Sequence, residues 1–212
     1  MAPNDIALPD AQLHLKKLAS PLAGLEENVE FELRMISSTK NGPPVSQRFN
    51  PLNKASIDNA LKQALHYNDD GYNIYTTVNP IKAGGHPLSA CKDVDVVAAT
   101  FLFLDADEAG IANTVIATTK LPYDFVVVTG TKPHLRIHLY CRLESPHSDL
   151  DGWRCLMDKV IQAHSCDPAA KNLSRLMRLA GFVSYPSETK LRRGYETELV
   201  QLYDKDDYYD FL

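Results

Sequence analysis

Apolar positions recur along this chain in two rhythms, the three-to-four spacing of a helix and the alternation of a strand. "DAQLHLKKLA" (10–19) reads as a short amphipathic helix, and "NVEFELRMI" (28–36) as an alternating strand. "SSTKNGPPVSQ" (37–47) is predicted as a loop, followed by a helix over 53–67 with Ile57, Leu61, Ala64 and Leu65 as its apolar stripe. "YNIYTTV" (72–78) is strand-like and stops at the turn signal Asn79-Pro80; a long connection (82–92) and a short helix at 94–98 come next. "TFLFLDADE" (100–108) reads as a buried strand, with a helix to about 118 after it. "DFVVVTG" (124–130) and the alternating "LRIHLYCRL" (135–143) form a predicted hairpin. A helix over 147–164 should bury Leu150, Trp153, Leu156, Met157 and Val160. A last helix, with Asp167 as N-cap and Pro168 at its first position, is predicted to run to Leu179 and stop at Gly181.

One strand poses a chemical problem. Side chains alternate faces, so Phe101, Phe103, Asp105 and Asp107 share a face. Two carboxylates about 5 Å apart repel by roughly 3 kcal/mol at an effective dielectric near 20. A divalent cation clamped at the strand end would offset that repulsion, as would escape into solvent. Arg136 and His138 alternate on one face of the neighbouring strand, either as phosphate donors or as an exposed polar face. His134 falls at the turn. On the predicted last helix Lys171, Arg175 and Arg178 lie at i, i+4 and i+7, a phosphate-binding face or a solvated stripe. Asp167 can cap that helix or reach a metal.

Composition narrows the classes. The 212 residues are 44% apolar and 23% charged, as in ordinary globular proteins, and no apolar run reaches membrane-helix length. The N-terminus lacks the basic and apolar regions of a signal peptide, so a cytoplasmic protein without membrane association is expected. A net charge of −5 argues against coating nucleic acid by bulk electrostatics. The charge is uneven, however: Lys171, Arg175, Arg178, Lys190, Arg192 and Arg193 stand against only Glu188 between 171 and 194. Such a patch suits a polyphosphate or a short nucleic-acid track. The expected organisation is an N-terminal helical segment (1–27), a catalytic domain (28–200) and an acidic, aromatic tail (201–212).

The order of these pieces resembles the archaeo-eukaryotic primase superfamily, particularly its RepB-like plasmid and phage primase domains. The match lies in Asp105-Ala106-Asp107 (an acidic, hydrophobic, acidic triplet), in His138, in the late acidic Asp167, and in "RLMRLAG" (175–181). It covers about residues 28 to 190. Arg136 replaces the commoner Ser two before the His, and Ala180 replaces the usual Pro before Gly181.

The resemblance implies an α+β fold with an RRM-like antiparallel-sheet core packed against an N-terminal α/β unit. It also implies a nucleotidyltransferase that makes primers from nucleoside triphosphates on single-stranded DNA by two-metal phosphoryl transfer. Asp105, Asp107 and Asp167 would then hold Mg²⁺ or Mn²⁺, and Arg136, His138, Lys171, Arg175 and Arg178 the nucleotide. A replicative helicase is a further partner of that class. Two other readings stay open: a catalytically idle nucleic-acid-binding module for replication initiation, and a metal-dependent nuclease.

Overall fold

In the computed structural model, which describes residues 8–25, 28–38 and 43–205, the apolar segments assemble into two larger antiparallel sheets and a small two-stranded one. The chain runs α1 (Leu8–Ala19), β1 (Val29–Ser37), β2 (Val45–Phe49), α2 (Lys54–Asp69), β3 (Tyr72–Thr77) and β4 (Ile81–Lys82). It continues with β5 (Ala99–Ala106), α3 (Ile111–Thr118), β6 (Phe125–Gly130), β7 (Arg136–His147) and α4 (Leu150–His164). The remainder is β8 (Leu176–Arg178), β9 (Val183–Ser184), α5 (Glu188–Arg192), β10 (Glu198–Leu199) and β11 (Gln201–Asp204).

The first sheet has the order β2-β1-β3-β8, with β4 also on β1, and the second has the order β11-β6-β7-β5. The second sheet is built by the strand–helix–hairpin–helix run β5-α3-β6-β7-α4 expected of an RRM-like core. Its central strands are buried on both faces: every residue of β6, and Arg136 to Cys141 of β7. Phe101, Phe103, Phe125 and Tyr140 form one aromatic cluster, with Phe125 and Tyr140 stacked 4.5 Å apart between centroids. His14 of α1 packs edge-on against two of those rings, tying the N-terminal helix to this core.

Several expectations change. No helix covers 167–179: Pro168–Lys171 is one 3-10 turn, and β8 follows, pairing with β3 at Tyr75↔Arg178, Thr76↔Met177 and Thr77↔Leu176. The open edge of β3 needs a hydrogen-bonded partner, and that need overrides the local helical pattern. Lys171, Arg175 and Arg178 therefore share no helical face. In addition, β2 begins inside the expected loop, and the helix expected at 94–98 is one 3-10 turn, Asp93–Asp95. Leu156 is 43% exposed rather than core. Gln201–Asp204, expected to open the tail, pairs with β6 as β11; residues 206–212 of that tail lie outside the described residues. Among the described residues no helix is long and apolar enough to cross a membrane.

Candidate active site

The site forms where β5 ends. Asp105 and His138 are directly opposed in the β5–β7 register, so both side chains project from the same face. His138 Nε2 lies 3.7 Å from Asp105 Oδ1. β5 is an edge strand, and two groups take its outward carbonyls: Trp153 Nε1 donates to Phe101 O at 2.9 Å, and Asp167 N to Asp105 O at 3.1 Å. That second bond brings a residue 62 positions downstream beside Asp105, and Asp167 Oδ1 then caps its own turn by accepting from Ala169 N at 2.8 Å. Asn79 fixes the adjoining backbone, accepting from Thr100 N at 3.1 Å and donating to Leu173 O at 3.1 Å.

One arginine joins the two acids. Arg175 Nη2 donates to Asp105 Oδ2 at 2.7 Å and to Asp167 Oδ2 at 2.6 Å. Asp105, Asp107, Glu108, Asp167 and Arg175 line a cleft of about 540 Å³. Burial raises the Asp105 carboxyl above its ordinary range; the Arg175 hydrogen bond and charge oppose this, and the Asp167 charge adds to it. His138 is affected oppositely. Burial, then the charges of Arg178 and Arg175, lowers its pKa to about 3, so at neutral pH the ring is uncharged and forms no ion pair with Asp105. Its Nδ1 is buried with no hydrogen-bond partner, an arrangement that costs roughly 1–3 kcal/mol unless a ligand supplies one.

Asp107 faces another set of residues. Its side chain is 44% exposed, with Oδ1 3.5 Å from Arg136 Nε and Oδ2 3.4 Å from Lys190 Nζ. Arg136 is buried: Nη2 donates to Glu198 Oε2 at 3.0 Å, Nη1 to the carbonyls of His134 and Lys132, and the guanidinium lies 4.5 Å from the Tyr195 ring centroid. Burial works to raise Glu198, but hydrogen bonds from Thr131 and Lys132 and the Arg136 charge hold it below the usual carboxylate range. Gly130 leaves room for this pair, because a Cβ at that position would displace the Arg136 guanidinium and the Glu198 carboxylate. His134 Nε2 donates to Asp107 O at 2.9 Å, so this turn residue holds the backbone of the second aspartate.

The fold thus brings together Asp105, Asp107, Asp167, Arg136, His138 and Arg175. Arg178 lines a small adjoining pocket with Asp107 and Arg136, held by Asn73 Oδ1 at 2.8 Å. Lys171 does not join them; its ammonium pairs with Asp158 of α4 at 3.0 Å. Sequence reading missed Glu198, Tyr195 and the role of His134, and it noted Asn79 only as part of a turn signal and Lys190 only as part of a basic run. Nothing local marks Glu198 or Tyr195, since both act across more than fifty residues of chain.

Among the described residues no three acidic, His or Cys side chains converge closely enough to hold a metal ion as they stand. The donor chemistry still fits a hard divalent cation. Asp105 and Asp167 offer carboxylate oxygens to one shared point, where a positively charged nitrogen of Arg175 now sits, and Asp107 lines the same cleft.

No protein-family profile matches the chain, and no curated protein matches it in sequence. Solved structures do match in three dimensions. The AEP (archaeo-eukaryotic primase) domain of the cyanophage S-2L primase-polymerase is 23% identical, with a TM-score of 0.60 over 92% of this chain and 89% of that one. The primase RepB′ is 13% identical, with a TM-score of 0.57 over 92% of this chain but 56% of that one. The catalytic domain of RepB′ in complex with initiator DNA is 13% identical, with a TM-score of 0.57 over 92% and 85%. With its two larger antiparallel sheets and the acidic cleft at the end of β5, the chain has the fold of the archaeo-eukaryotic primases.

Proposed function

We propose that this protein is a primase-polymerase that joins nucleoside triphosphates into short oligonucleotides on a single-stranded DNA template. The observation that carries the proposal is the cleft at the end of β5. It collects Asp105, Asp107 and Asp167, with an uncharged His138 directly across the sheet from Asp105. Phosphoryl transfer asks a protein for positioning and charge neutralisation rather than covalent chemistry. Mg²⁺ or Mn²⁺, held by Asp105, Asp107 and Asp167, would neutralise the phosphates and activate the attacking hydroxyl.

The chain's own residues do the rest. His138, neutral, can donate from Nε2, the ring nitrogen on the Asp105 side, to a phosphate oxygen without adding a buried charge. Arg136 is clamped by Glu198, the turn carbonyls and the Tyr195 ring, so it holds Asp107 at a fixed point of the cleft. Arg178 supplies a cation beside the same pocket. The solved neighbours named primase and primase-polymerase support this reading at the level of fold.

The test is incubation with single-stranded DNA, labelled nucleotides and Mn²⁺, with products separated on a gel. A ladder of short oligonucleotides that disappears in Asp105→Ala is the expected result. Binding of DNA with no synthesis would move the assignment to an idle binding module, and shortening of the DNA itself to a nuclease.

A further inference from the structure

The first sheet presents a charged and aromatic row toward the site. In the β1–β3 register Arg34 is directly opposite Tyr75, and in the β3–β8 register Tyr75 is directly opposite Arg178. Directly opposed residues share a face, so the three stand side by side across adjacent strands, roughly 10 Å from end to end. The neighbouring row, Leu33, Thr76 and Met177, points the other way and is buried. Arg34, Tyr75 and Arg178 are all partly exposed.

Each side chain is held in place. Glu32, itself fully buried, grips Arg34 through bonds of 2.6 and 2.9 Å. Arg178 is anchored on Asn73 and stands 5.1 Å from the Tyr75 ring centroid. The row also leads into the site, because Arg178 shares a pocket with Asp107 and Arg136. A cation, a π-face and a second cation at successive strands form the pattern that meets one strand of nucleic acid, with phosphates on the arginines and an unpaired base on the ring. A duplex would keep its bases paired and offer none to the ring.

We infer that Arg34, Tyr75 and Arg178 form a docking row for single-stranded DNA, on which the template strand lies as it enters the cleft at Asp105. The inference rests on the primase reading for its naming of the template. Its test measures binding of a labelled single-stranded oligodeoxynucleotide by fluorescence anisotropy, with neither nucleotide nor metal present. Tyr75→Ala should weaken binding by roughly five- to a hundredfold without changing the salt dependence, whereas Tyr75→Phe, which keeps the ring, should bind within about twofold of the unaltered protein.

Arg34→Gln alone would strand the buried Glu32, so the double variant Glu32→Gln/Arg34→Gln is the informative one. It should lower the slope of log affinity against log salt by about 0.7, one contact to a single strand. Unchanged oligonucleotide binding in Tyr75→Ala overturns the row while leaving the primase reading intact. So does a defect confined to free nucleotide, measured in parallel by equilibrium dialysis. Failure of the unaltered protein to bind the oligonucleotide overturns both.

Discussion

Asp105 is the next-to-last residue of β5 and Asp107 the first residue after it, yet they occupy different physical worlds. Asp105 has a side chain 14% exposed; burial dominates its titration, and Arg175 and a neutral His138 are its neighbours. Asp107 is 44% exposed and rests at 3.5 and 3.4 Å from two cations that have other partners of their own. The opposite neighbours that offset the repulsion expected between these carboxylates are thus different for each. Asp105 depends on one buried arginine that it shares with Asp167, whereas Asp107 draws on solvent and two longer contacts. Identical side chains are made unlike by parts of the chain 29 to 83 residues away.

The largest effect expected from breaking this pair is on synthesis. Asp105→Ala and Asp107→Ala should each reduce primer formation on the order of a thousandfold, read from the gel assay. Next in size is Arg175→Ala, which leaves two carboxylates facing each other without their shared counter-charge. A loss of about 3 kcal/mol in unfolding free energy is expected, with partial recovery in Mn²⁺, measured by urea titration. Lys190→Ala beside Asp107 serves as the contrast and should stay within about 1 kcal/mol.

His138→Ala should weaken nucleotide use by roughly ten- to a hundredfold, the worth of one hydrogen bond to a charged group. Titrating nucleotide against that variant checks it.

The fourth effect concerns pH. Burial first, then coupling to a protonated His138 and the Lys17 charge, lowers His14 to about 3, and its Nδ1 accepts from Ala180 N at 3.2 Å. The unfolded ring takes up a proton near pH 6.5 and the folded ring only near 3. Stability should therefore be lost as pH falls through that window, by about 1.4 kcal/mol per unit for each such histidine. His14→Asn, whose Oδ1 can replace the Nδ1 acceptor, should flatten the slope between urea titrations at pH 7 and pH 5. The smallest effect is expected for Lys171→Ala, under about 0.5 kcal/mol and with normal synthesis, because its partner Asp158 is a surface residue of α4.

The strands that carry the site could be read from sequence because their signal is local. "TFLFLDADE" is apolar up to its acids, and alternation in "LRIHLYCRL" put His138 and Arg136 on one face. That same alternation under-read their burial, because nothing in β7 reveals that its sheet is covered on both sides. The segment after Asp167 misled for a definite reason. Ala170, Leu173, Met177 and Ala180 recur at helical spacing and are all buried, yet they reach the core from a 3-10 turn, two other turns and a strand. Side-chain periodicity could not distinguish these cases; the unpaired edge of β3 decided between them. Asp167 and Arg175 were singled out as candidates, but the bond from Asp167 N to the β5 edge, which brings them beside Asp105, leaves no trace in local sequence.

The pairing of β3 with β8 also bears on how the chain is made. β3 is complete at Thr77, but its partner ends at Arg178, and β11, which closes the second sheet, ends at Asp204. On a ribosome adding roughly 5–20 residues per second, the edge of β3 would wait unpaired for several seconds before its partner exists. Throughout that interval Ile74 and Thr76 offer open backbone groups to any passing extended chain. The late segment that brings Arg175 to the acids is therefore also the one that ends the exposure of the first sheet, so assembly of the cleft and protection from aggregation arrive in a single step of synthesis.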